Sequence, residues 1–194
     1  MKLAIIIGST RPGRKTERLA KWVIDYAKTM PSTEVDVLDL RDYDMPMFNE
    51  PISPRFNPDR QPVPPVRDFL AKLELAEAIV IVTPEYNHTM PAVLKNALDY
   101  VDWQLSKKPI AFVGHGTVGG ARAIEHLKNV VSEVKALPIP EGVTFTKVSE
   151  SISEDGVLED EIKSQQYGPQ TALENMLKEL TWYADVLTPA RSNK

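Results

Sequence analysis

The residues best suited to chemistry fall in three short stretches: GSTRPGRKT (8–16), TPEYNHTMP (83–91) and GHGTVGGAR (114–122). In the first, Gly8, Ser9 and Thr10 are small, and Ser9, Thr10 and Thr16 carry hydroxyls. A helix pattern begins immediately afterwards. Free backbone N–H groups at a helix N-terminus, together with the positive end of its dipole, hold phosphate well. Arg11 and Arg14 add charge-assisted donors to phosphate oxygens. The plain alternative is a loop capped by Thr16 with solvated arginines. The coincidence of glycine, hydroxyls and arginines favours the anion site.

A nucleoside-triphosphatase loop needs Gly, four residues, then Gly-Lys followed by Ser or Thr. Gly8 and Gly13 have that separation, but Arg14 follows and Lys15-Thr16 arrive one residue late. No apolar run ends in the aspartate that would hold magnesium. That reading fails.

In the second stretch Pro84-Glu85-Tyr86-Asn87 forces a turn, and Pro91 suits the first turn of the next helix. Tyr86 offers a flat face and a hydroxyl; Asn87 offers a donor and an acceptor on one edge. Such groups suit a planar heterocycle with carbonyls and ring N–H groups, although an ordinary turn with an exposed tyrosine would read the same way. The third stretch contains G-x-G-x-x-G over Gly114, Gly116 and Gly119, the dinucleotide fingerprint. It follows the fourth apolar run instead of opening the chain. No strand ends in an acidic residue about 20 positions on, so a Rossmann dehydrogenase is disfavoured. The glycines are read instead as letting backbone lie against a flat ligand. His115 stands beside them.

These loops need a frame. Leu3–Ile7, Ile79–Val82 and Ile110–Val113 are continuous apolar runs, as expected of strands buried on both faces of a parallel sheet. Val35–Leu38 and, more weakly, Gly142–Val148 complete a set of five, the last nearer an edge. Helical stripes lie between them: Leu19/Ala20/Val23/Ile24/Ala27, Val66–Ala76, Val93/Leu94/Ala97/Leu98/Val101, Ile124/Leu127/Val130/Val131/Val134 and Leu173/Met176/Leu177/Leu180/Ala184/Leu187. Strand and helix alternate, which implies an α/β fold with an open, doubly wound parallel sheet. Ligands on such sheets sit beyond the carboxyl ends of the strands, where the three stretches fall. Met45–Pro65 is too proline-rich for regular structure and reads as an ordered excursion or lid. Ser149–Glu161 reads as an acidic surface loop.

The 194 residues suit one domain, 1–194, and carry a net charge of −4 with no long basic block. Binding to bulk nucleic acid or to an anionic membrane is not favoured. There is no cysteine, which excludes disulfides, thiolate nucleophiles and cysteine-ligated metals; redox chemistry would need a bound cofactor. The first apolar run is too short for a signal peptide or membrane helix, so a cytoplasmic location without membrane insertion is expected.

Taken together in this order, GSTRPGR, TPEYNHTMPAVLKNALDYV and GHGTVGGARA resemble the NADPH-dependent FMN reductase family, which includes quinone, azo-dye and chromate reductases. The resemblance covers residues 1 to about 135. It implies a flavodoxin-like five-stranded sheet in the order 2-1-3-4-5 with helices on both faces. It further implies that Ser9, Arg11 and Thr16 hold the FMN phosphate. Pro84, Glu85, Tyr86 and Asn87 would wrap the isoalloxazine ring, and Gly116, Thr117 and Gly119 would support its other edge. Arg14 and Lys15 make the phosphate loop more basic than in many relatives. His115, where the family's residue type varies, completes the cofactor-binding set with Arg14.

The implied reaction passes two electrons from NADPH or NADH through FMN to a quinone or similar small acceptor, with no protein nucleophile or acid–base pair. A flavodoxin-like electron carrier or flavin-binding regulator is the competing reading. Association as a homodimer or homotetramer through residues 91–103, with Tyr100, Val101 and Trp103 at the contact, is also implied. Met47, Phe48 and Arg55 of the excursion could then cover the site.

Overall fold

The structure, a computed structural model, describes residues 1–192. Five parallel strands, β1 (Lys2–Ile7), β2 (Glu34–Asp39), β3 (Ala78–Pro84), β4 (Pro109–His115) and β5 (Leu137–Phe145), form one sheet in the order β2-β1-β3-β4-β5. This is the flavodoxin-like order. β3 and β4 are buried along their whole length, as their unbroken apolar runs require.

Side chains alternate across the sheet and so build two cores. Leu3, Ile5 and Ile7 face one way, against α1 (Thr16–Thr29) and the long C-terminal α7 (Pro169–Ser192). Ala4 and Ile6 face the other way, against α2 (Pro64–Leu75), α3 (Ala92–Asp99) and α4 (Ala121–Glu133). The helical stripes therefore mark real core faces; Leu19, Ala20, Val23 and Ala27 of α1 are fully covered.

Two expectations need correction. β5 starts at Leu137, five residues before the Gly142 read from sequence, and ends at Phe145. Pro138 and Pro140 hide its start, yet an edge strand tolerates proline because its outer N–H positions have no partner to lose. A bulge absorbs the misfit: Ile110 and Phe112 of β4 pair with Pro138 and Gly142. The acidic stretch after it is also not a simple loop. It carries the short helices α5 (Val148–Ser151) and α6 (Asp160–Lys163), and it buries Val148, Ile152 and Leu158.

The excursion before α2 is pinned to α3 and α4. Asn96 of α3 receives the Phe48 N–H at 2.8 Å and donates to the Pro46 carbonyl at 2.8 Å; the Phe48 ring packs edge-on against Tyr100. Arg55 pairs with Glu133 at the last turn of α4, 3.7 Å away, far from the carboxyl ends of the strands. Tyr100 and Val101 are buried in the chain's own core, leaving Trp103, 57% exposed, as the large apolar side chain at the end of this segment. Among the described residues no helix is long and apolar enough to cross a membrane.

Candidate functional site

β1, β3 and β4 end side by side, and the loops that follow them interlock. The Ser9 hydroxyl lies 2.8 Å from the Tyr86 hydroxyl, the Thr16 hydroxyl 2.8 Å from Nε2 of His115, and the Glu85 N–H donates to the His115 carbonyl at 2.8 Å. The three stretches read from sequence thus form one rim.

The first loop runs from Gly8 into α1. Its helix starts at Thr16 without a side-chain cap, because the N-cap residue is Lys15, whose side chain cannot accept, while the Thr16 hydroxyl engages His115. Among the described residues, the amides of Thr10, Gly13, Lys15 and Thr16 donate to no protein atom. Free amides at the positive end of a fourteen-residue helix fit a phosphate. Arg11 is exposed, its guanidinium 5.4 Å from the centre of the Tyr86 ring, and can reach an anion on the rim.

Arg14 differs from the expectation. Its side chain is buried and bonds both carboxylate oxygens of Asp39, the last residue of β2, one at 2.6 Å, while Nη1 also donates to the Ser9 carbonyl. Burial opposes charge on this pair. The mutual hydrogen bonds and attraction, with Glu17 adding to Arg14, outweigh it, raising the Arg14 pKa and lowering that of Asp39. Arg14 therefore lies beneath the loop, with both terminal nitrogens already engaged by Asp39 and the Ser9 carbonyl. Ser9 and Thr16 are buried too, and their hydroxyls tie the loop to Tyr86 and His115.

In the second loop, the chain reverses in two residues. Tyr86 and Thr89 exchange backbone hydrogen bonds at 2.9 and 3.0 Å around Asn87 (φ 49°) and His88 (φ 69°). Two left-handed residues in succession make a type I′ turn, which asparagine accepts readily. The turn lifts exposed Asn87 to the rim beside the half-buried Tyr86 ring. The Glu85 carboxylate points the other way. It is buried and bonds Nε of Arg122 at 2.6 Å, the Arg122 N–H at 3.2 Å, and Nη2. Burial resists its ionisation, but Arg122 prevails and its pKa falls. Glu85 thus bolts this loop to α4, while Pro84, wholly buried, ends β3.

The third loop turns through Gly119 (φ 72°) and Gly120 (φ 80°). A Cβ on Gly120 would stand 2.5 Å from the His115 nitrogen, and one on Gly119 2.7 Å from Cβ of Thr144. These glycines serve close packing on β4 and β5; Thr117 and Val118 form the exposed tip, next to half-buried Gly116. His115 is buried. Its pKa is pushed down to about 4, first by burial and then by Lys15, so the ring is neutral near pH 7 and acts as a hydrogen-bonding partner of Thr16.

The rim offers free amides, a cation near an aromatic face, and an amide side chain beside that face. Residues 1–150 match the family described as NADPH-dependent FMN reductase. The chain belongs to this family. Among its relatives is an NAD(P)H-dependent FMN reductase of Schizosaccharomyces pombe, 32% identical over 139 residues, covering 72% of this chain and 70% of the relative. An FMN-dependent NADPH-azoreductase of Staphylococcus haemolyticus is 28% identical, over 81% of this chain and 84% of that one. The structure of FerB, a flavoenzyme NAD(P)H:(acceptor) oxidoreductase from Paracoccus denitrificans, superposes with a TM-score of 0.72 at 24% identity, covering 95% and 97% of the two chains.

For this FMN reductase family member, two site-shaping residues escaped the sequence reading, Asp39 and Arg41, while Arg122 stood in the third stretch without a role. Arg41 holds the outside of the first loop, donating to the Thr10 carbonyl at 3.4 Å and to the Arg11 carbonyl, and faces Glu17 at 3.4 Å. The available signal was position. Asp39 ends the second strand and Arg41 comes two residues later, at the carboxyl ends of the strands where ligands bind.

Proposed function

We propose that the protein is an FMN-dependent NAD(P)H oxidoreductase that passes two electrons to quinones or similar small acceptors. The observation that carries this reading is the meeting of the three loops, which brings unpaired amides, Arg11, Tyr86 and Asn87 onto one rim. That arrangement matches a monoester phosphate joined to a flat polar ring. When bound, FMN supplies the redox chemistry, accepting a hydride equivalent from the nicotinamide and yielding it to the acceptor.

The chain's own residues bind and orient. The exposed amides of Thr10, Gly13 and Lys15, with Arg11, take the phosphate. Tyr86 and Asn87 on their hairpin, with Gly116 and Thr117 opposite, fix the ring. Ser9, Thr16, His115, Glu85 and Gly119 hold these groups in place. We propose further that copies associate through residues 91–103, around exposed Trp103, and that the protein works in the cytoplasm as one domain, a reading that its lack of cysteine suits.

The test is anaerobic reduction of the FMN-loaded protein. NADPH or NADH should bleach the flavin absorption, and a quinone should restore it. Bleaching by neither nucleotide, with tight FMN binding, would favour an electron carrier instead.

A further inference from the structure

Beneath the phosphate loop lies a charge network that touches the proposed ligand nowhere. Arg14 lies in the buried space under the loop, paired through both nitrogens of its fork with Asp39, and holds the Ser9 carbonyl. Arg41 holds the carbonyls of Thr10 and Arg11 from the outside, and its own backbone N–H donates to Asp39 Oδ1 at 3.0 Å. One carboxylate therefore organises both arginines. Glu17 adds a contact to each, 3.5 Å from Arg14 Nε and 3.4 Å from Arg41 Nη1.

The carbonyl and the following N–H of a trans peptide point in opposite directions. Holding the Ser9 carbonyl thus aims the Thr10 amide to the opposite side, away from the Arg14 guanidinium, and holding the Thr10 carbonyl fixes the next peptide, whose N–H, on Arg11, reaches back to the Ser9 hydroxyl at 3.5 Å. The third carbonyl, of Arg11, precedes Pro12, which has no N–H to aim. Without this network the loop would have to order its amides at the moment of binding, at an entropic cost.

We infer that Asp39 is a positioning residue for the cofactor's phosphate, acting through Arg14 and Arg41 to preset the loop amides. This rests on the FMN reading above. It also assigns a use to the acidic residue ending β2 that differs from ribose recognition, because both carboxylate oxygens are already taken by Arg14.

The experiment titrates the protein with FMN and, separately, with riboflavin, which has the ring but no phosphate, following flavin fluorescence. Asp39→Asn and Arg41→Gln should each weaken FMN roughly tenfold, about 1.4 kcal/mol, while riboflavin affinity stays within about twofold. Asp39→Glu should recover part of the FMN affinity. Folded variants with unchanged FMN affinity, or with both flavins weakened equally, would overturn the inference. Arg41 is partly exposed, so its variant decides the matter should Asp39→Asn not fold. A wild-type protein that binds neither flavin, or binds both alike, would instead overturn the FMN phosphate reading itself.

Discussion

The Thr16 hydroxyl and Nε2 of His115 meet at 2.8 Å across 99 positions of sequence, joining the start of α1 to the end of β4. The contact links the loop proposed to hold phosphate with the loop proposed to flank the ring. It also forces an uncharged imidazole into a buried place. The folded-state pKa is about 4, below the ~6.5 of an unfolded histidine. As pH falls, the unfolded chain takes up the proton first, so stability contributed by neutral His115 is complete above pH ~6.5 and lost by pH ~4.

Unfolding in urea between pH 7 and 4 should show this loss, at most ~1.4 kcal/mol per pH unit. Asp39 and Glu85, with depressed pKa values, act in a lower window: their stability is present above the ordinary carboxylate range and disappears below it. His115→Asn should flatten the curve between pH 6.5 and 4 and leave the acid limb unchanged. An identical slope in that variant would show that His115 does not titrate there.

Glu85 joins β3 to α4 through a carboxylate that is itself buried. Glu85→Ala strands Arg122, which is partly exposed and can turn to water, so the loss should be about 2 kcal/mol. For a chain of this size that lowers the melting temperature by ~4–8 °C. Glu85→Gln, which keeps an acceptor, should lose less. Thermal melts of the three proteins check the order.

Glycine replacements separate crowding from backbone preference. Gly120→Ala meets the His115 nitrogen and must also hold φ at 80°, so a loss above ~2 kcal/mol is expected. Gly13→Ala also keeps a positive φ, 65°, but finds nothing within 4 Å. Its cost should be only ~1 kcal/mol, the left-handed backbone term alone. Equal melting temperatures for the two variants would contradict the crowding seen at Gly120.

The frame was legible because it is periodic. Ile79–Val82 and Ile110–Val113 are unbroken apolar runs that only buried strands use, and the stripe from Leu19 to Ala27 shows one helical face. β5 was misread at its start because Pro138 and Pro140 look like breakers, and only its place at the sheet edge makes them harmless. The three rim loops were visible as unusual compositions beside those runs. Individual roles were not. Arg14 looks like a phosphate donor until the fold brings Asp39, 25 positions away, to both of its terminal nitrogens. Glu85 looks like a rim residue until Arg122 takes its carboxylate. Charge partners distant in sequence leave no local pattern, whereas local turns do: Asn87 suits the left-handed backbone it adopts.

The most direct test of the FMN site is a fluorescence titration of wild-type protein and Arg11→Ala with FMN. Arg11 is exposed and supports no core, so the variant should fold as the wild type does. One FMN per chain should bind the wild type saturably, and loss of the charge-assisted hydrogen bond should weaken it at least roughly tenfold. No saturable binding, or equal affinity in the two proteins, would contradict the placement of the phosphate on this loop.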